Sequence, residues 1–381
     1  MEKASFELTN AQKSIWLISQ MYPKEPIENI CGSITIPEKV NFIALQKAAN
    51  RFVQQNDGLR LRFKEENGVV KQYVHEYVPF KIELVKVHSE EDVTYMEKQL
   101  VSKTFDIMNQ FLFEFKMFEF EDGHGGLTIN AHHLIFDAWT TGLAAKEIME
   151  HYAYFMGMSQ QDEENTCSYL DYIHSEAEYL ASERFKKDEE YWNDIFQEIP
   201  EIAKIPDVKS KDRTALSCVA RRKQFYITKQ SMQMINDYCS HNRISIFNFF
   251  MAVYAVYVGK LTGLEEFVFG SPILNRTTFK EKHTAGMFIS TMPFKITIRK
   301  DYDFSYFVNK IAKDSMGMLR HQKYPYQFLL ENLRSKSPNL PNLYDILISY
   351  QNTRMDKQDA KVLYDAKWTF NGCTANGLEI H

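Results

Sequence analysis

An α/β fold of mixed sheets divided into two lobes is the class this sequence predicts, and three observations point to it. The chain has 381 residues of which 44% are hydrophobic, enough for a large core or for two domains that share an interface. The order strand, helix, strand is legible once before residue 198 and starts again after residue 217. The stretch between them, EIPEIAKIPDVKSKDRTALS, mixes prolines with charges as a linker does. The expected division is a first lobe over 1–197, a linker over 198–217 and a second lobe over 218–381.

Taken in order, NAQKSIWLISQMYP from Asn10 places apolar residues on one helical face, with Asn10 as cap and Pro23 as stop. GSITI reads as a strand, residues 42–56 as a helix, and LRLRF as a strand by its alternation. Asn67-Gly68 marks a hairpin turn into VVKQYVHEY. A helix is expected over 90–103, a strand over 111–120, a turn over 121–126 and a strand in LTINAHH. A long helix follows Asp137, then an exposed polar loop at 159–168 and helical material through Trp192. In the second lobe RRKQFYI reads as a strand, followed by a polar helix, a buried helix over 244–261, and strands in FVFGSPI and MFISTMPFKITI. The segment 365–381 reads as stopping in mid-strand, so the second lobe is expected to be incomplete.

Composition excludes several classes. Forty-five basic against 50 acidic side chains give a net charge of −5, with no concentrated basic face for nucleic acid. The five cysteines are scattered, which signals neither a disulfide framework nor a zinc knuckle and fits a reducing, cytoplasmic location. The longest apolar run, 244–258, is too short for a membrane span and contains Asn248, and the N-terminus lacks the core of a signal peptide.

The chemistry concentrates in NAHHLIFDAWT, residues 130–140. Alternation along a strand puts His133 on the face of Leu127, Ile129 and Ala131, where desolvation keeps its ring neutral and able to accept a proton. His132, on the opposite face, can brace the strand end. Asp137 has the position of a helix N-cap, and a buried carboxylate there calls for a guanidinium; Arg60 and Arg276 are the two candidates. A Ser-His-Asp triad finds no nucleophile elbow, and neighbouring residues on a strand point too far apart for His132 and His133 to share a metal ion, so none is expected.

The same packet, HHLIFDA, resembles the HHxxxDG signature of the condensation domains of nonribosomal peptide synthetases. LTNAQKSIWLISQ (8–20), NDGLRLRF (56–63), YLDY (169–172), YW (191–192), GSPILNRT (270–277), AGMFISTMPFKI (285–296), HQKYPYQFLLENL (321–333) and YDILISYQN (344–352) are similar to that family's other motifs, in order. Ala138 stands where the family has glycine, Thr140 where it has serine, Asn56-Asp57 where it has His-Glu, and Ile289-Ser290 where it has Val-Asn. None of these changes removes a reactive group.

The resemblance implies two chloramphenicol-acetyltransferase-like lobes in a V-shaped pseudo-dimer, with the histidines between them in a tunnel open on both sides. It implies amide formation between an acyl thioester and the amine of a carrier-bound amino acid. His133 would be the catalytic residue; His132, Asp137, Arg60 and Arg276 would support it; Ala138, Trp139, Thr140, Ser290 and Tyr350 would contact substrate. No cofactor is bound permanently. The substrates ride on phosphopantetheine arms of carrier proteins, with acyl-coenzyme A as an alternative donor, beside the adenylation domain of the same synthetase and with no nucleic-acid or membrane partner. The first motif lies within ten residues of Met1, so the domain is expected to open its polypeptide. That position, and the run of matches, resemble the starter domains of surfactin-type lipopeptide synthetases more than an ordinary peptidyl condensation domain. An epimerisation domain or a non-catalytic docking module fits less well.

Overall fold

The computed structural model describes residues 4–160, 167–205, 217–351 and 361–381. Its elements follow the chain as β1 (Phe6–Glu7), α1 (Asn10–Met21), β2 (Asn29–Ile36), α2 (Phe42–Gln55), a 3-10 turn (Asp57–Arg60), β3 (Leu61–Glu66), β4 (Val69–Val74), β5 (Glu83–Lys86), α3 (Glu90–Val101), β6 (Phe113–Glu119), β7 (Gly125–His132) and α4 (Ala138–Phe155). Then come α5 (Tyr169–Leu180), α6 (Glu183–Ile195), α7 (Lys229–Asn242), α8 (Ile246–Thr262), β8 (Glu266–Ile273), α9 (Phe279–Lys282), β9 (Ser290–Thr297), α10 (Phe304–Arg320), α11 (Tyr326–Lys336), β10 (Ile346–Ile348), β11 (Asp365–Thr369) and β12 (Leu378–Ile380). The class is mixed α/β, as the sequence predicts.

Local chemistry explains most of these boundaries. Helix α1 starts one residue earlier than expected, because Thr9 is the cap: its hydroxyl accepts from the Gln12 N–H while the Gln12 side chain accepts from the Thr9 N–H. Ser89 and Asp92 form the same reciprocal box at the start of α3. Asn67 and Gly68 both take positive φ, 54° and 79°, the geometry of a two-residue hairpin turn, and β3 pairs β4 from Leu61↔Val74 to Glu66↔Val69. Leu59 and Arg60, expected to open that strand, sit in the 3-10 turn before it.

The described residues fall into two compact units. One holds those of 1–178, 276–288 and 353–373, the other those of 179–275, 289–352 and 374–381. The units are therefore not sequential. Helix α6, placed by sequence in the first lobe, packs Trp192 into the core of the second unit, where it lies among Phe196, Val258, Phe267 and Phe294. Of the expected linker, 206–216 lie outside the described residues, as do 161–166 of the expected polar loop.

The first unit contains a three-stranded sheet, β1-β4-β3, and a five-stranded sheet in the order β11-β2-β7-β6-β5, antiparallel except for β5 with β6. Strand β7 runs down the middle with every residue buried. Its alternation is real, but the polar face does not meet water: Thr128 bonds Ser33 at 2.8 Å and Asn130 donates to Leu100 O of α3 at 2.8 Å. The second unit has a mixed sheet, β12-β10-β8-β9. RRKQFYI, expected as a strand, is not one: no described strand pairs with it, and Phe225 and Tyr226 are 85% and 86% exposed. A segment without a pairing neighbour has no ladder to define it as a strand. Among the described residues no single helix is long and apolar enough to cross a membrane.

Candidate active site

Strand β7 ends at His132, and the chain is pinned on both sides as it leaves the sheet. The His132 N–H donates to Leu112 O at 2.8 Å and the His133 N–H to Glu28 O at 2.7 Å. His133 thus lies in the turn just past the strand, not in the strand alternation that the sequence reading assigned to it. The chain then turns through Leu134, Ile135 and Phe136, all buried, into α4.

His132 is buried with its Nδ1 accepting from the Leu134 N–H at 3.1 Å and its ring edge-on to Phe105 at 6.2 Å between centroids. Burial first, and the neighbouring His133 second, push its pKa down to about 3, so it is neutral at physiological pH. It braces the turn. The His133 ring is half-buried and its Nδ1 lies 3.1 Å from the Met287 sulfur. Burial holds its pKa below the ordinary 6.5, against the opposing pull of the Asp137 charge and of the backbone carbonyls of His133 and Phe136. His133 is therefore a neutral imidazole at pH 7, the state in which a ring nitrogen can take a proton.

Asp137 caps α4, its Oδ1 accepting from the Thr140 N–H at 2.8 Å. Its partner is Arg276: Nη1 donates to Oδ2 at 2.7 Å and Nη2 to Oδ1 at 3.2 Å, with both side chains fully buried. The Phe288 N–H donates to the same carboxylate at 3.0 Å. Burial pushes the Asp137 carboxyl up, but the charge and hydrogen bonds of Arg276 and the two backbone N–H groups outweigh it and hold the pKa below the usual carboxylate value. The guanidinium is satisfied on its other side by Glu281 O (3.0 Å) and Gly286 O (3.2 Å), and it stacks 4.0 Å from the Phe288 ring centroid.

The sequence left two arginines open, and the structure separates them. Arg60 donates to His75 O at 2.9 Å, on the hairpin side of the 3-10 turn, and does not reach Asp137. Thr140 is also corrected. It is fully buried and its hydroxyl bonds both Gly286 O (2.9 Å) and Gly286 N–H (3.0 Å), so it fastens a loop and has no group left for substrate. Trp139 is half-buried with its indole N–H on Lys282 O at 2.9 Å, and Ala138 is exposed at the first position of α4. Ser290, the first residue of β9, is half-buried; Tyr350 is 46% exposed near Phe247. Both belong to the second unit.

Three residues in the sequence motifs received no role from sequence reasoning and prove central to this geometry. Tyr169 donates its hydroxyl to Met287 O at 2.6 Å, and burial pushes its phenol pKa up so that the proton stays. Gly286 has φ 152°, and a Cβ there would overlap the Tyr169 ring, so only glycine fits. Met287 is buried against His133. Their presence in YLDY and AGMFISTMPFKI was the available signal, but nothing in either string says that the two segments meet.

Comparison with known proteins bears on this arrangement. Residues 2–376 match the family model described as condensation domain. Surfactin synthase subunit 1 of Bacillus subtilis (strain 168) is 30% identical over 388 residues, and gramicidin S synthase 2 of Aneurinibacillus migulanus is 26% identical over 348 residues. These alignments take in 100% and 91% of this chain, which spans only 11% and 8% of the length of those relatives. Among solved structures, the starter condensation domain of rhizomide synthetase in complex with C8-CoA and Leu-SNAC superposes with a TM-score of 0.85 at 21% identity, over 97% of this chain and 83% of that one. The first condensation domain of the CDA synthetase gives 0.81 at 16% identity, over 98% and 89%. At these identities the structural likeness is one of fold.

Proposed function

The chain belongs to the condensation-domain family, and from that premise we propose that it forms an amide bond between an acyl thioester and the amine of a carrier-bound amino acid. The acyl group is a fatty acyl carried by coenzyme A or by a carrier protein, and the reaction opens a lipopeptide. Two findings support the starter reading: the identity with surfactin synthase subunit 1, and the fold shared with a starter domain that was crystallised with C8-CoA. On this reading the working partners are a peptidyl carrier protein and the adenylation domain beside it. No group is bound permanently, because the phosphopantetheine arm arrives with its substrate.

One observation carries the chemistry: His133 is a half-buried, neutral imidazole held at a braced strand end. The amine nitrogen attacks the thioester carbon, the C–N bond forms and the C–S bond breaks. His133 takes the ammonium proton that develops on the nitrogen, and the departing thiolate is protonated in turn. Thioesters need little activation, so alignment of the two groups supplies much of the rate and the base a further factor on the order of 10²–10⁴. We assign His132, Asp137 and Arg276 to supporting that ring, Arg60 to supporting the adjacent hairpin, and Ala138, Trp139, Ser290 and Tyr350 to substrate contact.

The test is a single incubation of the protein with octanoyl-coenzyme A and an aminoacyl-loaded carrier protein, read by intact-protein mass spectrometry. N-acyl product is expected, and His133→Ala should lower its rate by roughly 100-fold or more. Transfer only from a peptidyl carrier donor would assign the chain to internal condensation. Full activity of the alanine variant would remove His133 from the chemistry.

A further inference from the structure

The first of the ordered motifs, LTNAQKSIWLISQ, takes no part in the chemistry assigned so far, yet its Gln12 is fully buried and reaches the turn that carries His133. As a helix cap Gln12 needs only its oxygen, which accepts from the Thr9 N–H at 2.9 Å, and glutamate would serve that purpose equally. The amide nitrogen has a separate use. Nε2 donates one proton to Leu134 O at 3.0 Å and the other to Gln72 Oε1 at 2.8 Å. Gln72, in β4 and equally buried, returns the bond from its own Nε2 to Gln12 Oε1 at 2.8 Å and gives its second proton to Glu7 O of β1 at 2.8 Å.

All four amide protons of the pair are thus engaged, the condition under which two such groups can be buried without a large cost. The orientations are fixed as well. The Thr9 N–H requires an oxygen where the Leu134 and Glu7 carbonyls require an N–H, so neither amide can be turned over. Leu134 is the residue after His133. Its N–H donates to His132 Nδ1 at 3.1 Å and its C=O is taken by Gln12, so the peptide groups on both of its sides are held. Through the two glutamines that carbonyl is tied to the three-stranded β1-β4-β3 sheet, whereas the histidines stand at the end of the five-stranded one. The His133 ring bonds the backbone carbonyls of His133 and Phe136, and the path of 134–136 decides where the second of these acceptors lies.

We propose that Gln12 and Gln72 are positioning residues for His133: the amide pair holds the Leu134 carbonyl, and with it the path of the turn that presents the ring, against the β1-β4-β3 sheet. The proposal rests on His133 acting in the condensation reaction, but the hold on Leu134 can be read without turnover.

Gln12→Glu is the informative variant, because it keeps the shape and the capping oxygen and changes only the donor. While its carboxyl is protonated, the O–H can donate to Leu134 O; once ionised it can only accept. Burial raises the pKa of a carboxyl toward and beyond neutrality, so the change falls in a usable range. The ratio of its kcat to that of wild type should stay near one at about pH 6 and drop roughly 3- to 10-fold by about pH 9, the weight of one modest hydrogen bond. KM for the acyl donor should not change. With 13C at the Leu134 carbonyl, the resonance of the variant should move upfield over the same pH range, with near-ultraviolet circular dichroism unchanged. Gln12→Met, neutral and without a donor, should show the displaced resonance and the lower kcat at every pH. Gln72→Met leaves Gln12 in place but unanchored, and should move the same resonance with a smaller loss of kcat. A kcat ratio independent of pH in folded Gln12→Glu, or wild-type kcat or an unmoved Leu134 resonance in folded Gln12→Met, overturns the proposal. Full activity of His133→Ala, with the Leu134 resonance of Gln12→Met still displaced, would instead retire the assignment of His133 and leave the hydrogen-bond assignment, so the two failures are told apart.

Discussion

Asp137 carries three loads at once: it caps α4, it neutralises a buried guanidinium, and it holds the Phe288 N–H. A buried ion pair contributes little compared with an apolar substitute, but a half-broken one is costly. Asp137→Ala should therefore lower stability by about 3–5 kcal/mol in chemical denaturation, whereas Asp137→Ala combined with Arg276→Met should recover a large part of that loss. A loss of product in the single variant alone would then be a folding effect. His132 gives a pH prediction. Its folded pKa of about 3 lies below the ordinary 6.5, so between these values the unfolded chain binds the proton and the folded chain does not. Its contribution is complete above pH 6.5 and is lost as pH falls toward 3, on the order of 5 kcal/mol by linkage. His132→Asn, whose side-chain oxygen can still accept from Leu134 but does not titrate, should flatten the acid limb of the stability curve.

At the scale of elements, the edge of the central sheet is closed by β11, a strand that arrives from more than 200 residues downstream of β7 and pairs β2 from Asp365↔Thr35 to Thr369↔Cys31. A five-residue edge strand needs more than its ladder. Glu97 on α3 supplies it: buried, its carboxylate accepts from Ser33 at 2.6 Å and from Thr369 at 2.8 Å, and Lys367 lies 3.3 Å away. The carboxylate thus rivets helix, central sheet and edge strand together. Glu97→Ala should raise amide hydrogen exchange in 366–369 well above that in β6, with the rest of the first unit unchanged. A comparable joint secures α6 in the second unit. Asp188, buried, accepts from His321 at 2.6 Å, from Arg184 at 2.9 Å and from Tyr179 at 2.8 Å, while the Trp192 indole donates to His321 O at 3.0 Å. The Trp192–His321 contact joins two of the sequence motifs, YW and HQKYPYQFLLENL.

At the scale of the whole molecule, the chain passes between its two units at 178/179, 275/276, 288/289 and 373/374 and once more between 351 and 361, so neither unit is one continuous stretch. The first unit needs Arg276 and β11, both encoded beyond the expected linker. A fragment of residues 1–197 would bury Asp137 without its guanidinium and leave β2 without its outer neighbour. It should be unfolded or molten by circular dichroism and by the dispersion of its amide spectrum, whereas the full chain is folded. A cooperative, well-dispersed fragment would show that 1–197 is a lobe in its own right.

The sequence by itself determined what local chemistry and motif order can determine. Caps and turn residues placed α1, α3, α4 and the Asn67-Gly68 hairpin to within a residue or two, and the ordered motifs led to the family. The His132-His133-Asp137 packet was visible as a short string because its members lie within six residues, at a strand end and a helix start. Only the tertiary structure decided the rest. Whether Arg60 or Arg276 meets Asp137, and whether Thr140 faces substrate or a glycine backbone, are matters of contacts spanning more than a hundred residues. Such contacts depend on how packed elements bring distant segments together, and no propensity or spacing within a window of the chain encodes them. RRKQFYI shows the same limit from the other side: its aromatic and β-branched residues favour an extended chain, but a strand exists only where a neighbour supplies the ladder.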